Sequence, residues 1–285
     1  MGILLLLVNQ AVYQCYGMVT RNYSRKHGSG GLFFNAIVCL FSMFFFIITD
    51  KGGFNFNKEL FAYGAISIVM FVSGFYSMFI ALQIGSYAIS ILLSSFSGVI
   101  AIVYGIVFLN EPAGLDTYLG ILLTFVSVIL MNSVKKGSEE SNGFSAKWLI
   151  CVLISLAANG FIAVLSRMQQ IRFDNTCDNE FMIISLGGAF AVLFVYGLIR
   201  ERNNVGRIMK HGTLYGAAAG IMNGAMNLIQ LLVYLYMPIS AATSVKTGLT
   251  TVCSFALSLA VYKEKFSAVQ LAGAVIGVVA LLLLV

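Results

Sequence analysis

The chain has very little charge. Only 10% of its 285 residues are Asp, Glu, Lys or Arg, whereas 59% are apolar, and proline occurs twice and tryptophan once. A soluble domain carries about 25% charged residues on average. With so few charges and a mean hydropathy of +0.92, the chain cannot be a soluble domain, and the composition indicates an all-α polytopic membrane protein.

Cysteine and histidine are too scattered to form a disulfide framework or a metal site. The five cysteines include no CxxC pair, and the two histidines, His27 and His211, both lie in predicted loops without a ligand partner at metal spacing. We therefore expect no metal and no cofactor.

Catalytic signatures are missing as well. The sequence contains no HExxH, no GxSxG and no phosphate-binding glycine loop, and no His, Asp or Glu lies in the core of an apolar run. This argues against an enzyme. It also removes the carboxylate that a proton-coupled exporter of organic cations would use.

The net charge of +6 does not indicate nucleic-acid binding. Almost every Lys and Arg lies in a short segment between apolar runs, where positive charge sets membrane topology. We therefore expect a lipid bilayer, and not nucleic acid, around this chain.

The chain contains ten apolar runs, each close to the ~20 residues that a spanning helix needs. The runs are 3–20, 31–49, 59–81, 86–109, 115–132, 148–167, 180–199, 212–234, 239–262 and 267–285. A polar segment rich in Ser, Gly, Lys and Glu divides them into two sets of five. We predict a first five-helix repeat at 1–132, a linker loop at 133–147 and a second five-helix repeat at 148–285.

The two sets repeat each other in sequence. Residues 109–131 align without a gap on 262–284 at an offset of 153, which places Glu111 on Glu264 and Gly120 on Gly273. Because five is odd, the second set enters the membrane in the opposite direction. This predicts an inverted repeat with a site near the middle of the membrane, the design of many secondary transporters.

Three segments resemble a known family. FLNEPAGLDTYLGILL (108–123), VYKEKFSAVQLAGAVIG (261–277) and QCYGMVTRNYSRK (14–26) are similar to the drug/metabolite transporter superfamily, in particular its EamA-type ten-helix branch. Members often carry a proline about thirteen residues before each Glu, whereas Gly98 and Thr251 stand there in this chain. The resemblance implies a transporter of small metabolites and does not name the substrate.

Lys246 is the only charged residue within the core of an apolar run. Such a charge costs about 2.5–3.5 kcal/mol on insertion scales, so a functional role is the default hypothesis. Thr243, Thr247 and Thr250 lie on the same helical face and offer hydroxyl groups to the same ligand. The alternative is that Lys246 snorkels toward the membrane interface.

Further polar side chains within the runs are candidates for substrate contact. They are Asn223, Asn227 and Gln230 in the eighth run, Gln14 in the first, and Ser94 in the fourth, beside Ser90 and Ser97. Their alternative role is to join helices, since a buried amide needs a hydrogen-bond partner and serines often bond to their own helix. Glu111 and Glu264 precede the last helix of each set, where we expect them to favour that helix's N-terminus.

We therefore predict a secondary transporter or exchanger in the cell membrane, working by alternating access. Its substrate would be a small anionic or zwitterionic metabolite such as an amino acid, organic acid or sugar phosphate. The alternatives are an exporter of cationic or drug-like compounds and a non-transporting scaffold. Loop charges favour both termini outside, whereas the family resemblance implies both inside. A monomer and a homodimer are both compatible with the sequence.

Overall fold

The computed structural model describes all residues except 28–30, 51–57, 86, 112–113, 132–144, 258–259, 262–266 and 285. The predicted linker at 133–147 therefore lies mostly, and Glu264 entirely, outside the described residues. Of the described residues, 92% are helical and none lies in a strand. The α-helices are α1 Gly2–His27, α2 Gly31–Thr49, α3 Lys58–Ile84, α4 Tyr87–Ser95, α5 Ser97–Phe108, α6 Leu115–Met131, α7 Ala146–Arg172, α8 Asp178–Arg200, α9 Val205–Tyr236, α10 Ile239–Leu257 and α11 Ala268–Leu284.

Six helices in the described part of the chain are long and apolar enough to cross a membrane. They are α1, α2, α3, α7, α8 and the segment Ile208–Tyr236 of α9. The stretches Leu93–Phe108, Leu115–Ser127 and Leu271–Ala280 are apolar but shorter. The all-helical architecture of a polytopic membrane protein is thereby confirmed.

The helices of the two predicted repeats pack against each other more than among themselves. Helix α2 packs on α8 and α9, α3 packs on α7 and α8, and α1 packs on α9. Helix α10 packs on α5, and α6 packs on α11. The largest buried cluster joins α2, α3, α7 and α8 through side chains such as Phe46, Phe71, Leu165 and Leu186.

The fourth apolar run is not one helix. It divides at Phe96 into α4 and α5, although the sequence places no proline there. The Val99 amide donates to Phe96 O at 2.9 Å, a three-residue bond of the 3₁₀ type. The expectation of a continuous helix over 86–109 is therefore wrong, and a short 3₁₀ turn interrupts it beside Gly98.

Glycines on one face of α9 pack against α2. A Cβ on Gly216 would lie 2.7 Å from Ile37 Cγ2, and a Cβ on Gly224 would lie 2.8 Å from Phe45 Cβ. At Gly220 the obstacle is also backbone, because a Cβ would lie 2.7 Å from Val38 O. Small residues every fourth position let two helix backbones approach closely in lipid, so these three glycines bring α9 close to α2.

We expect Gly220→Ala to destabilise the protein. The added methyl group would meet backbone atoms of α2, which cannot move aside as a flexible side chain can. The two helices must therefore separate, at a cost of about 1–3 kcal/mol. Thermal unfolding in detergent measures this effect. Gly206→Ala, at the start of the same helix with no atom within 4 Å, is the matched control and should leave the melting temperature unchanged or slightly higher. Equal melting temperatures for the two variants would contradict the packing role.

Candidate substrate site

A cavity of about 120 Å³ lies in the interior of the helix bundle. Residues of α4, α5, α7, α9 and α10 form most of its wall, with Tyr13 of α1 and Met182 of α8. Its lining residues are Tyr13, Ser94, Ser95, Ser97, Gly98, Asn159, Ile162, Ala163, Ser166, Met182, Met226, Asn227, Gln230, Leu231, Tyr234, Thr243, Lys246, Thr247 and Thr250. No acidic side chain is among these described residues.

Lys246 lies on the α10 wall of this cavity. Its Nζ donates a hydrogen bond to Gln230 Oε1 of α9 at 2.8 Å. An ammonium has three donor hydrogens, so this bond leaves donor capacity that a ligand in the cavity can use. Lys246 therefore contacts a neutral amide in the bundle interior, and the structure gives it no carboxylate partner among the described residues.

Two neighbouring groups are poorly satisfied. Gln230 Nε2 and Thr243 Oγ1 are buried and form no well-aligned hydrogen bond with a described residue, although both side chains interact with the Tyr234 hydroxyl, and all three residues line the cavity. A buried unsatisfied donor costs about 1–3 kcal/mol. A polar ligand that accepted hydrogen bonds from these groups would remove that cost.

Thr247 and Thr250, the other two threonines of the predicted hydroxyl stripe, donate to their own helix. Thr247 Oγ1 donates to Thr243 O at 2.9 Å, and Thr250 Oγ1 donates to Lys246 O at 2.8 Å. Thr250 Oγ1 is also 2.8 Å from Gln10 Oε1. Because a hydroxyl has one hydrogen, the opposite orientation of the Gln10 amide would satisfy both contacts. The hydroxyl stripe is thus less available to a ligand than the sequence suggested, and Thr243 is the member that donates to no carbonyl of its own helix.

The break between α4 and α5 forms another part of the cavity wall. Thr247 Oγ1 also lies 3.4 Å from Ser95 O, and the Val99 amide, which an α-helix would bond to Ser95 O, is bonded to Phe96 O instead. A Cβ on Gly98 would lie 2.5 Å from Thr247 Oγ1. Helices α5 and α10 therefore approach closely at the break, and Ser94 is placed in the cavity wall.

Six of the eight predicted site residues line the cavity, and two lie outside its described lining. Asn223 Oδ1 accepts hydrogen bonds from Ser42 Oγ of α2 and from Asn227 Nδ2, both at 3.1 Å. Gln14 Nε2 donates to Ser254 Oγ at 2.8 Å, and Gln14 Oε1 accepts from Tyr87 at 3.1 Å. These two amides join helices behind the cavity wall. The expectation that Asn223 faces the cavity with Asn227 is not what the structure shows.

Glu111 binds a helix N-terminus, but not the one predicted. Its carboxylate oxygens accept the backbone N–H groups of Ile239 and Ser240, each at 2.9 Å, together with the Ser240 hydroxyl. Glu111 therefore caps α10, the helix of Lys246, instead of α6, which follows it in sequence. The chain reaches across because Asn110 adopts φ 52°, a left-handed conformation that Asn tolerates. Gly105 leaves room for the carboxylate, since a Cβ there would lie 2.5 Å from Glu111 Oε2.

Several lining residues had no strong sequence signal. Tyr234 and Ser166 are typical of residues near a helix end, and Met182 and Ile162 look like ordinary core residues. Asn159 is an isolated amide in its apolar run. Their shared location follows from the packing of α7, α8 and α9, which no local pattern reveals. Among the described residues, no group of His, Cys, Asp and Glu could hold a metal ion.

We expect the two asparagines of α9 to differ on substitution. Asn223→Ala removes the side-chain acceptor that Ser42 and Asn227 share, while Gly220 O and the backbone O of residue 223 remain for them, so it should cost about 1 kcal/mol of stability. Asn227→Ala should change stability by roughly 0.5 kcal/mol or less, because the side chain borders a cavity. Thermal unfolding of the two variants in detergent checks this order. Equal destabilisation by both would make Asn227 a packing residue as well.

Comparisons with known proteins agree with this architecture. The chain is similar to a solved structure titled "Crystal structure of protein", with a TM-score of 0.69, 13% sequence identity, and coverage of 98% of this chain and 97% of that one. At that identity the similarity concerns the fold alone. No curated protein matches the chain. Residues 1–133 match the model of the EamA-like transporter family, so the resemblance to the drug/metabolite transporter superfamily is confirmed.

Proposed function

We propose that this protein is a secondary transporter of a small anionic or zwitterionic metabolite. The family match indicates a membrane transporter. The observation that carries the substrate class is Lys246, an ammonium in an interior cavity whose described lining contains no acid. An unpaired ammonium in hydrocarbon either loses its proton or binds an anion. A substrate carboxylate or phosphate is the anion that a transport cavity would supply.

The donor groups around Lys246 fit a carboxylate. Lys246, Gln230 and Thr243 together offer N–H and O–H groups from two helices, and a carboxylate has about four lone-pair sites to accept them. Ser94, Asn227 and Thr250 complete the proposed contact set. Asn223 and Gln14 are proposed to act through their neighbours, because each is hydrogen-bonded behind the wall.

The size and walls of the cavity favour a small substrate. One water needs about 10–15 Å³ on the same volume measure. A cavity of 120 Å³ therefore holds on the order of ten water-sized groups. Ile162, Met182, Met226 and Leu231 give one part of the wall an apolar surface. An amino acid or a short organic acid with an apolar portion fits both properties better than a nucleotide sugar.

We propose that transport proceeds by alternating access between two inverted five-helix repeats, at 1–132 and 148–285, which together would span the membrane ten times. The helix packing supports this design. If the two repeats correspond, α1 is equivalent to α7, α2 to α8, α3 to α9, and α4–α5 to α10. The α2–α9 contact is then equivalent to the α8–α3 contact, and the α1–α9 contact is equivalent to the α7–α3 contact. Both members of each pair are present. A site on such a pseudo-two-fold axis can open to either side of the membrane in turn.

An exporter of organic cations is less compatible with the cavity. Tyr13 and Tyr234 could face a cation with their rings, but the Lys246 ammonium would repel it and no lining carboxylate would offset that repulsion. We place the transporter in the cell membrane as part of the proposal.

The test of the proposed function is counterflow in liposomes that contain the purified protein. A thermal-shift screen of amino acids, organic acids and sugar phosphates first identifies ligands. We expect saturable exchange of at least one anionic or zwitterionic ligand, and a broad panel with no saturable movement would contradict the proposal.

Substitution of Lys246 tests the charge directly. Lys246→Gln removes a charge-assisted interaction of about 1.5–3 kcal/mol, which should weaken binding of the ligand by roughly 10–100-fold. Lys246→Arg should retain much of the binding, and neutral amide analogues should lose little with either change. Lys210→Gln, at an exposed position of α9, is the control. Normal exchange by Lys246→Leu would show that Lys246 has no role in recognition.

A further inference from the structure

A second, wider cavity of about 490 Å³ opens at one end of the bundle. Its lining residues come from the α5–α6 turn, from the last two turns of α7 and from the α9–α10 turn. They are Leu109, Glu111, Arg167, Ile171, Tyr234, Leu235, Tyr236, Met237 and Pro238. All of these residues lie at helix ends, so this second cavity is at the surface of the bundle and not at its centre. We call it the vestibule.

The vestibule adjoins the Lys246 cavity. Tyr234 lines both of them, and its ring is buried. Lys246 lies seven residues beyond Ile239, which begins α10, or about 10 Å along the helix axis. A solute that passed Tyr234 from the vestibule would therefore meet the Lys246 cavity directly.

Arg167 is the cation of the vestibule. Its Nη1 donates to the Tyr234 backbone carbonyl at 3.2 Å, whereas its Nε has no hydrogen-bond partner among the described residues. Arg172, five residues later on the same helix, differs: it forms an exposed ion pair with Glu59 at 3.0 Å. Arg167 is half-buried, and one carbonyl bond leaves most of its five donor hydrogens available.

Glu111 is the one acidic residue in the described vestibule lining. Its carboxylate is occupied by the two backbone N–H groups and the hydroxyl at the start of α10. The positive end of a helix dipole offsets a carboxylate bound in this way. Asp178, outside the lining, also interacts electrostatically with Arg167, but its carboxylate accepts hydrogen bonds from Gln169 and Gln170. Because both acids are bound by other groups, the guanidinium can still attract an anion.

From these contacts we infer that the vestibule is an outer binding subsite for solutes that carry a carboxylate, with Arg167 as its anion-binding residue. The inference rests on the proposed transport function and adds a second binding site on the path of the substrate. A guanidinium binds a carboxylate through two parallel hydrogen bonds. Leu109, Ile171, Leu235 and Met237 supply an apolar wall, so the subsite suits carboxylates with an apolar body.

The test uses the full-length protein with Ile171→Cys, four residues from Arg167 and on the same helix face. Ile171 lines the vestibule and is 47% exposed, so thiol reagents can reach this position. Rates of modification by a negatively charged sulfonatoethyl and a positively charged trimethylammonioethyl methanethiosulfonate are read from the modified peptide. Arg167→Gln should lower the ratio of the two rates roughly tenfold. Arg167→Lys should preserve the ratio, and Arg172→Gln is the matched control.

Ligand protection gives the second readout. Benzoate should slow modification of the introduced thiol in the protein that retains Arg167, and benzamide, its neutral analogue, should not. This comparison decides the question even where Arg167→Gln fails to fold. Equal protection by the two compounds, or an unchanged rate ratio in Arg167→Gln, would overturn the subsite.

Lys246→Gln separates this inference from the proposed function. In that variant, benzoate should still protect the vestibule thiol while counterflow falls. Loss of protection in Lys246→Gln would mean that benzoate binds only at the inner cavity, which overturns a separate outer subsite. Absence of counterflow with intact benzoate-specific protection would instead contradict transport and leave the vestibule site standing.

Discussion

A polar group inside a hydrocarbon layer must find its hydrogen-bond partner within the protein, and this constraint determines how the helices of this chain meet. Trp148 donates to Ser90, so that α7 is held against α4, and Asn9 donates to Met226 O, so that α1 is held against α9. Ser42 joins α2 to α9 through Gly220 O. Each bond connects helices from different halves of the chain, which makes the interface between the halves a polar network within an apolar bundle.

Lys246 has more donor hydrogens to satisfy than these other groups, and the described residues supply acceptors for only some of them. Gln230 supplies one acceptor, and the remaining donor capacity faces a cavity. The threonines around it show the opposite case, because Thr247 and Thr250 donate to carbonyls of their own helix. Their hydroxyls stabilise α10 locally, and the cavity is left with a cation and few free hydroxyls beside it. This imbalance between positive charge and acceptors is the basis on which we propose an anionic or zwitterionic substrate.

Glu111 joins the two halves at the helix that carries Lys246. A carboxylate at a helix N-terminus satisfies backbone N–H groups that have no partner within the helix, and here it comes from the first half of the chain while the helix belongs to the second. The turn after α5, with Asn110 in a left-handed conformation and Gly105 beneath the carboxylate, fixes this contact. The same turn forms one wall of the vestibule, so the position of α10, the cavity and its outer opening depend on one short segment.

The sequence by itself determined the class of protein and most of its helical runs, and it indicated the resemblance to the EamA-like transporter family and the isolated charge of Lys246, because hydropathy and buried charge are local properties. It also indicated six of the residues that the structure brings together around one cavity. Only the tertiary structure decided that Phe96 interrupts a helix without proline, that Asn223 faces α2 while Asn227 faces the cavity, and that Glu111 caps α10. Neighbouring residues on one helix face differ in role only through the helix packed against them. Sequence spacing gives the face, whereas the identity of that neighbour follows from how all the helices pack together.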